Sequence, residues 1–269
     1  MKFGWWTTGR DEAAIVLLRT VIHSIKMGVI PNGEISYVFC SREPGESKWS
    51  DSLMAFAQSY DIPVVSFSAK NFRPRIRTSD KEYWRVVYHK QVLERISNFD
   101  VDLVVLAGYM WVVSADVCNR LSIINLHPAL PGGPTGTWQE VIWKLLEQEA
   151  DETGVMMHLV TPELDKGPAI TYCRFPIKGQ KWDKLWEQFR RKRDEIGLKA
   201  IIEQEGEKEP LFSAIREEGV KRELPLIVQT LRAFSIEKIA LKDGKLYDSN
   251  GNELLEPYDL TKEIEKMIE

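Results

Sequence analysis

The sequence predicts an α/β protein with a doubly wound, mostly parallel sheet and a helical and β-hairpin C-terminal extension. Three observations carry this expectation. In the first half, short apolar runs alternate with segments whose apolar residues recur at helical spacing, the pattern of βαβ units. The run Leu103-Val104-Val105-Leu106-Ala107 is apolar throughout, as a central strand covered on both faces requires. Near the end, Asp243-Gly244 and Asn250-Gly251 are turn signals between short apolar stretches.

In chain order, residues 3–6 read as the first strand. Residues 11–27 follow as a helix with Ala14, Ile15, Leu18, Val21, Ile22 and Ile25 on one face. Strands are expected at 35–40 and 63–67, with a helix at 50–60 between them. A helix at 81–97 then leads into the central strand at 103–107. Beyond it come a short helix at 112–120, a strand at 122–125, a helix at 137–149, and strands at 154–160 and 169–175. The charged stretch 182–209 reads as helical; its basic run Arg190-Arg191-Lys192-Arg193 is expected to be a solvated face beside acidic neighbours. Residues 224–234 form a further helix, and 238–254 a hairpin or meander. Residues 1–180 are expected to be the catalytic domain, with 181–269 packed on it.

Composition narrows the function classes. With 43% hydrophobic and 28% charged residues over 269, the chain reads as an ordinary soluble globular protein. A net charge of -4 gives no reason to expect nucleic acid as a partner. No apolar run approaches the ~20 residues of a membrane span, and the apolar start is too short for a signal peptide. Cys40, Cys118 and Cys173 are scattered and lack metal-ligand spacing, so they read as free thiols in a cytoplasmic protein with no metal.

The chemistry concentrates in Ile123-Ile124-Asn125-Leu126-His127-Pro128. Asn125 and His127 are two apart, so on an extended backbone both side chains leave one face. Pro128 biases His127 toward that geometry. An amide and an imidazole would then meet at a strand's C-terminal end, where open α/β sheets place ligands. Farther on, Asp165 precedes Gly167-Pro168 in a loop after a strand. Its carboxylate could hold an imidazolium charged at neutral pH.

The run Leu106-Ala107-Gly108-Tyr109-Met110, then Asn125-Leu126-His127-Pro128, then Glu163-Leu164-Asp165-Lys166-Gly167-Pro168, closely resembles the folate-dependent formyltransferases. The resemblance covers about 1–177 and resumes near Leu224-Pro225-Leu226. It implies a formyltransferase-like, Rossmann-related fold. It also implies transfer of a formyl group from 10-formyltetrahydrofolate to a small-molecule amine, with Asn125, His127 and Asp165 as the catalytic set. By the same resemblance Met110, Trp111, Val112, Val113, Val160, Thr161, Glu163 and Leu164 would hold the folate. Thr8, Gly9, Arg10 and Arg85 would hold the acceptor, in a monomer or homodimer. Glycinamide ribonucleotide of purine biosynthesis is the leading acceptor; an amino sugar nucleotide is the rival, and a non-catalytic folate-binding protein the alternative from another class.

The sequence also departs from the family. Thr7-Thr8-Gly9-Arg10-Asp11-Glu12 stands in place of a Gly/Ser/Asn-rich phosphate loop, and Asp11 and Glu12 would repel a phosphate or serve as helix-dipole partners. Trp111 stands where the family has arginine. Gly136-Thr137-Trp138 replaces a histidine-bearing stretch, and Val220 falls where a glutamate is usual.

Overall fold

The computed structural model describes residues 1–163 and 165–269. The elements are β1 (Lys2–Thr7), α1 (Glu12–Lys26), β2 (Glu34–Cys40), α2 (Lys48–Gln58), β3 (Val64–Ser66), α3 (Pro74–Ser79), α4 (Lys81–Ile96), β4 (Leu103–Leu106), α5 (Ala115–Arg120) and β5 (Ile123–His127). They continue with α6 (Trp138–Glu147), β6 (Glu152–Leu159), β7 (Ala169–Pro176), α7 (Gln180–Ile196), α8 (Leu198–Gln204), α9 (Pro210–Ser235), β8 (Ile239–Lys242), β9 (Lys245–Asp248), β10 (Tyr258–Asp259) and α10 (Thr261–Ile268). Among the described residues, no helix is long and apolar enough to cross a membrane.

The chain forms two compact units. One comprises Met1–Leu126, His158–Gly167 and Val228–Leu255; the other comprises His127–Met157, Pro168–Ile227 and Glu256–Glu269. In the first, the strand order is β3-β2-β1-β4-β5, every pair parallel. That is the doubly wound half expected from the alternating pattern, and its order reverses between β1 and β4. Ligands of such sheets sit outside the strand C-termini at that reversal, here the loops after Thr7 and Leu106. The core on one face is aromatic: Trp6, Phe39, Trp84, Tyr88 and Tyr109 pack around Val104 and Leu106. The β8–β9 pair is an antiparallel hairpin closed by Asp243-Gly244, as the turn signal required.

In the second unit β10 pairs parallel with β7. Helices α7, α8 and α9 bury Trp182, Trp186, Phe189, Ile201, Leu211 and Phe212 against α6 residues Val141 and Leu145. The stretch expected as one charged helix at 182–209 is therefore two helices, broken at Gly197 with φ 80°, and each has an apolar face. Its basic run departs from a simple solvated face. Arg190 and Arg193 both donate to the Glu149 carboxylate, at 2.8 to 3.0 Å, and Lys192 binds Glu205 and the buried Glu209.

Other departures have local causes. Helix α5 begins at Ala115, because Ser114 takes the extended N-cap conformation and leaves 112–113 as loop. Strand β5 runs on to His127, as Pro128 after it favours. The short α3 starts at Pro74, which presets the first helical φ; its neighbours hide it in the sequence by lacking an apolar period. Helix α9 starts far upstream of the expected 224, at Pro210, and continues through Pro225. The small β10 and α10 are too short for periodicity to reveal.

Candidate active site

The site is built where β1, β4, β5 and the segment after β6 end within the first unit. Asn125 lies opposite Leu106 in the β4–β5 ladder, and Val160 N donates to Ile123 O at 2.7 Å. Asn125 is thus held between the β4 loop and the 158–167 segment. His158 is buried at the end of β6. Its Nδ1 is 3.1 Å from Leu159 O; a carbonyl only accepts, so Nδ1 carries the proton. Its Nε2 lies 3.4 Å from Asn125 Nδ2 and 3.8 Å from Asp165 Oδ1. An amide, an imidazole and a carboxylate therefore form a chain.

Asp165 sits in the left-handed region with φ 54°. Two residues on, a Cβ on Gly167 would lie 1.7 Å from Leu159 O, so only glycine lets the chain pass this close to β6. The side chain of Asp165 is 12% exposed, so its carboxylate faces the interior while remaining reachable.

His127 belongs to the second unit and ends β5, two residues past Asn125 in the strand. It is buried, and its Nε2 donates to Pro134 O at 3.0 Å. That bond places a proton on Nε2. Within the first unit, the imidazole that meets Asp165 is His158, which the motif reading had passed over. The signal was present: a histidine inside the apolar strand Val155-Met156-Met157-His158-Leu159 must find polar partners when buried.

The expected folate residues fall on two loops. Met110 is exposed, with its amide donating to Thr8 Oγ1 at 3.0 Å. Trp111 packs against Trp84 at 5.2 Å, Val112 is half-buried and Val113 is buried. Two buried polar atoms here, Trp111 Nε1 and Ser114 Oγ, lack hydrogen-bond partners, a donor and a hydroxyl suited to a polar ring ligand. On the other loop Val160 is half-buried, Thr161 Oγ1 donates to Glu163 O, and Glu163 pairs with Lys166 at 3.0 Å on the surface. Leu164 lies outside the described residues.

The 108–113 loop is anchored from behind. His89 on α4 is fully buried; Nδ1 donates to Arg85 O at 2.9 Å, and Nε2 accepts from the Tyr109 hydroxyl at 3.0 Å. Burial lowers the His89 pKa to about 4 and pushes the Tyr109 hydroxyl well above its ordinary value, so both are neutral.

The expected acceptor loop after β1 is engaged in structural bonds. Thr8 is buried; its hydroxyl contacts Ser41 Oγ at 2.9 Å and accepts from Met110 N, tying three strand ends together. The Gly9 amide, expected to hold a phosphate, donates to Thr7 Oγ1 at 3.1 Å. Gly9 is needed for packing: φ is 56° and a Cβ would lie 2.8 Å from Ser50 Cα. Arg10 is exposed beside Asp11 at 3.6 Å, and Arg85 pairs with Glu82 at 3.0 Å. The Thr8 hydroxyl and the Gly9 amide are thus engaged within the protein.

Within the first unit, a parallel sheet brings an amide, an imidazole and a carboxylate to one strand terminus, an arrangement open to polar group transfer. The formyl transferase family model matches residues 25–201, and the chain belongs to that family. The phosphoribosylglycinamide formyltransferase of Schizosaccharomyces pombe is 36% identical over 103 residues, which is 36% of this chain and 50% of that protein. The Haemophilus influenzae enzyme of the same name is 27% identical over 164 residues, 60% of this chain and 68% of its own. The chain thus spans half the length of the first of these relatives. Among solved structures, the Coxiella burnetii phosphoribosylglycinamide formyltransferase shares the fold, with a TM-score of 0.60 at 20% identity over 96% of this chain and 98% of that one.

Proposed function

We propose that the protein transfers a formyl group from 10-formyltetrahydrofolate to the amine of glycinamide ribonucleotide, in the purine pathway of the cytoplasm. The observation that carries this reading is the Asn125–His158–Asp165 chain. Formyl transfer to an amine needs donors for a developing oxyanion and an acceptor for the amine's proton, and no metal. In this reading the Asn125 amide and a charged His127, through Nδ1, donate to the carbonyl oxygen, work for which one such donor is typically worth about 10²–10³ in rate. Asp165 takes the proton shed as the new C–N bond forms, and the departing folate nitrogen receives one as the old bond breaks. His158 is a positioning residue, orienting the Asn125 amide. The folate donor supplies the activated formyl group. The buried, unpartnered Trp111 Nε1 and Ser114 Oγ fit a polar ring held by the 110–113 loop.

An amino sugar nucleotide is the rival acceptor within the same class. The test follows folate deformylation spectroscopically, with glycinamide ribonucleotide and with amino sugar nucleotides. Turnover dependent on the first amine supports the purine reading; turnover with the second alone replaces it. His127→Ala should abolish turnover while folate still binds, and near-normal turnover in that variant would remove the mechanism. Folate binding without turnover on any amine would point to a non-catalytic folate protein.

A further inference from the structure

Helix α4 is the bed on which the 108–113 loop rests, and it touches the loop in two chemically different ways. Trp84 packs on Trp111 with ring centroids 5.2 Å apart, a contact that tolerates sliding. Five residues on, His89 Nε2 accepts from the Tyr109 hydroxyl at 3.0 Å, a contact with a set length and direction. The imidazole is itself oriented, because Nδ1 donates to the α4 main chain at Arg85 O. Both side chains are buried. The Trp6 ring lies parallel to the imidazole at 6.4 Å, and the Tyr88 ring meets it edge-on at 5.3 Å. The Tyr88 hydroxyl donates to Phe67 O at 2.8 Å, which commits its proton to the segment just past β3.

A buried imidazole–hydroxyl pair is a poor device for stability alone. Each group loses its water on folding, and replacing both by apolar groups of the same shape is close to neutral. The surroundings are apolar and aromatic, with Val92, Val104 and Leu106 beside Trp6 and Phe39, so two phenyl rings at 89 and 109 would suit them. What the polar pair adds is position. The turn that carries Tyr109 is set on β1 through its backbone: Thr8 N donates to Gly108 O at 3.1 Å, and Met110 N donates to Thr8 Oγ1 at 3.0 Å. Tyr109 lies between those two bonds and is held on α4 through its side chain. The exposed part of the loop begins at the next residue, Met110. A shift of the Tyr109 ring along α4 would carry the 110–113 backbone with it.

We propose that His89 is a positioning residue for the folate donor: through the Tyr109 hydroxyl it fixes the height of the 110–113 loop on α4, and with it the fit of the loop to the donor's ring system. His89 touches neither folate nor amine and acts only through Tyr109. The proposal rests on the folate reading of the 110–113 loop and adds to it a residue outside that loop, on a helix behind the site.

The test separates affinity from stability with the double variant H89F/Y109F. It removes both polar groups together, and the larger ring at 89 takes up the volume of the lost hydroxyl, so its circular-dichroism melt should stay close to that of wild type. Its affinity for 10-formyltetrahydrofolate, measured by calorimetry without any amine, should fall about 10-fold, the size of one net hydrogen bond. In turnover the KM for folate should rise by about the same factor, while kcat at saturating folate and the KM for the amine stay within about twofold, because Asn125, His127 and Asp165 lie on other segments. His89→Gln keeps an acceptor at the reach of Nε2 and should restore most of the folate affinity. Wild-type folate affinity in H89F/Y109F overturns the proposal and leaves formyl transfer standing. A lowered melt with kcat and both KM values altered together marks a loosened core, and the proposal falls. Absence of folate binding by the wild type removes the folate reading and the proposal with it.

Discussion

Gly167→Ala isolates the placement of Asp165 from the chemistry of its carboxylate. The new Cβ would lie 1.7 Å from Leu159 O, and a methyl group cannot approach backbone below about 3.0 Å. The loop must therefore retreat by about 1.3 Å, and Leu159 is paired into β6, so the 160–167 side has to give. Asp165 is two residues away, already 3.8 Å from His158 Nε2. A misplacement of ~1 Å in a reacting constellation can cost about 10²-fold in rate, or about 2.7 kcal/mol of barrier. The expected result is a kcat about 100-fold lower, measured by formyl transfer under saturating folate and amine. The α/β core should still melt cooperatively, within a few degrees of wild type. A kcat within twofold of wild type would show that the loop tolerates the methyl group and that its tight return does not position the carboxylate.

Three further outcomes follow from other parts of the structure. Burial holds His89 neutral in the folded state, with a pKa of about 4 against an unfolded value near 6.5, so the unfolded chain binds more protons between those values. Stability should therefore fall as pH drops from 6.5 to 4, by about 3 kcal/mol from this group. In urea titrations His89→Phe should flatten that slope, at a cost of about 1–3 kcal/mol at pH 7 from the orphaned Tyr109 hydroxyl. Gly9→Ala places a Cβ 2.8 Å from Ser50 Cα at φ 56° and should lower urea stability by about 1–3 kcal/mol, whatever its effect on catalysis. Arg222 is 5% exposed and binds both Glu218 and Glu265; Arg222→Ala should cost about 3–5 kcal/mol in thermal unfolding, because Glu265 loses its guanidinium partner and Glu218 keeps only Lys181 and Lys221. Burial alone would raise the Glu218 pKa, but Lys181 and Arg222 outweigh it and hold the group at about 2. Its contribution therefore persists through mildly acidic pH, and the loss in Arg222→Ala should appear across pH 5–8.

What the sequence made legible was local. The apolar 103–107 strand, the amphipathic α1 and the Asp243-Gly244 turn each advertise their structure within a few residues, and Pro128 does the same for the extended His127. What it hid depends on partners far away in the chain. His158 reads as one more strand residue until Asn125 and Asp165 arrive beside it. Arg190 and Arg193 look solvated until Glu149, some forty residues earlier, is seen to receive both. The Thr7–Glu12 loop has the composition of a binding loop, yet Thr8 and Gly9 spend their polar groups on Met110, Ser41 and Thr7. Backbone composition can suggest that an amide is exposed; only the fold shows whether a neighbouring hydroxyl has taken it.

The first unit is assembled from three stretches of chain, Met1–Leu126, His158–Gly167 and Val228–Leu255. During translation, its parallel strands leave the ribosome early, but its last stretch is synthesised about a hundred residues after Leu126. A nascent chain paused near residue 180 would carry β1 to β5 and the Asp165 loop while lacking everything from Val228 onward. Loop closure over such a span is entropically slow, and the exposed apolar strands of the waiting intermediate invite chaperone capture or aggregation. A C-terminal truncation would freeze the protein in that state, so the proposed roles of Asn125, His127 and Asp165 should be tested by point substitution in the 269-residue chain.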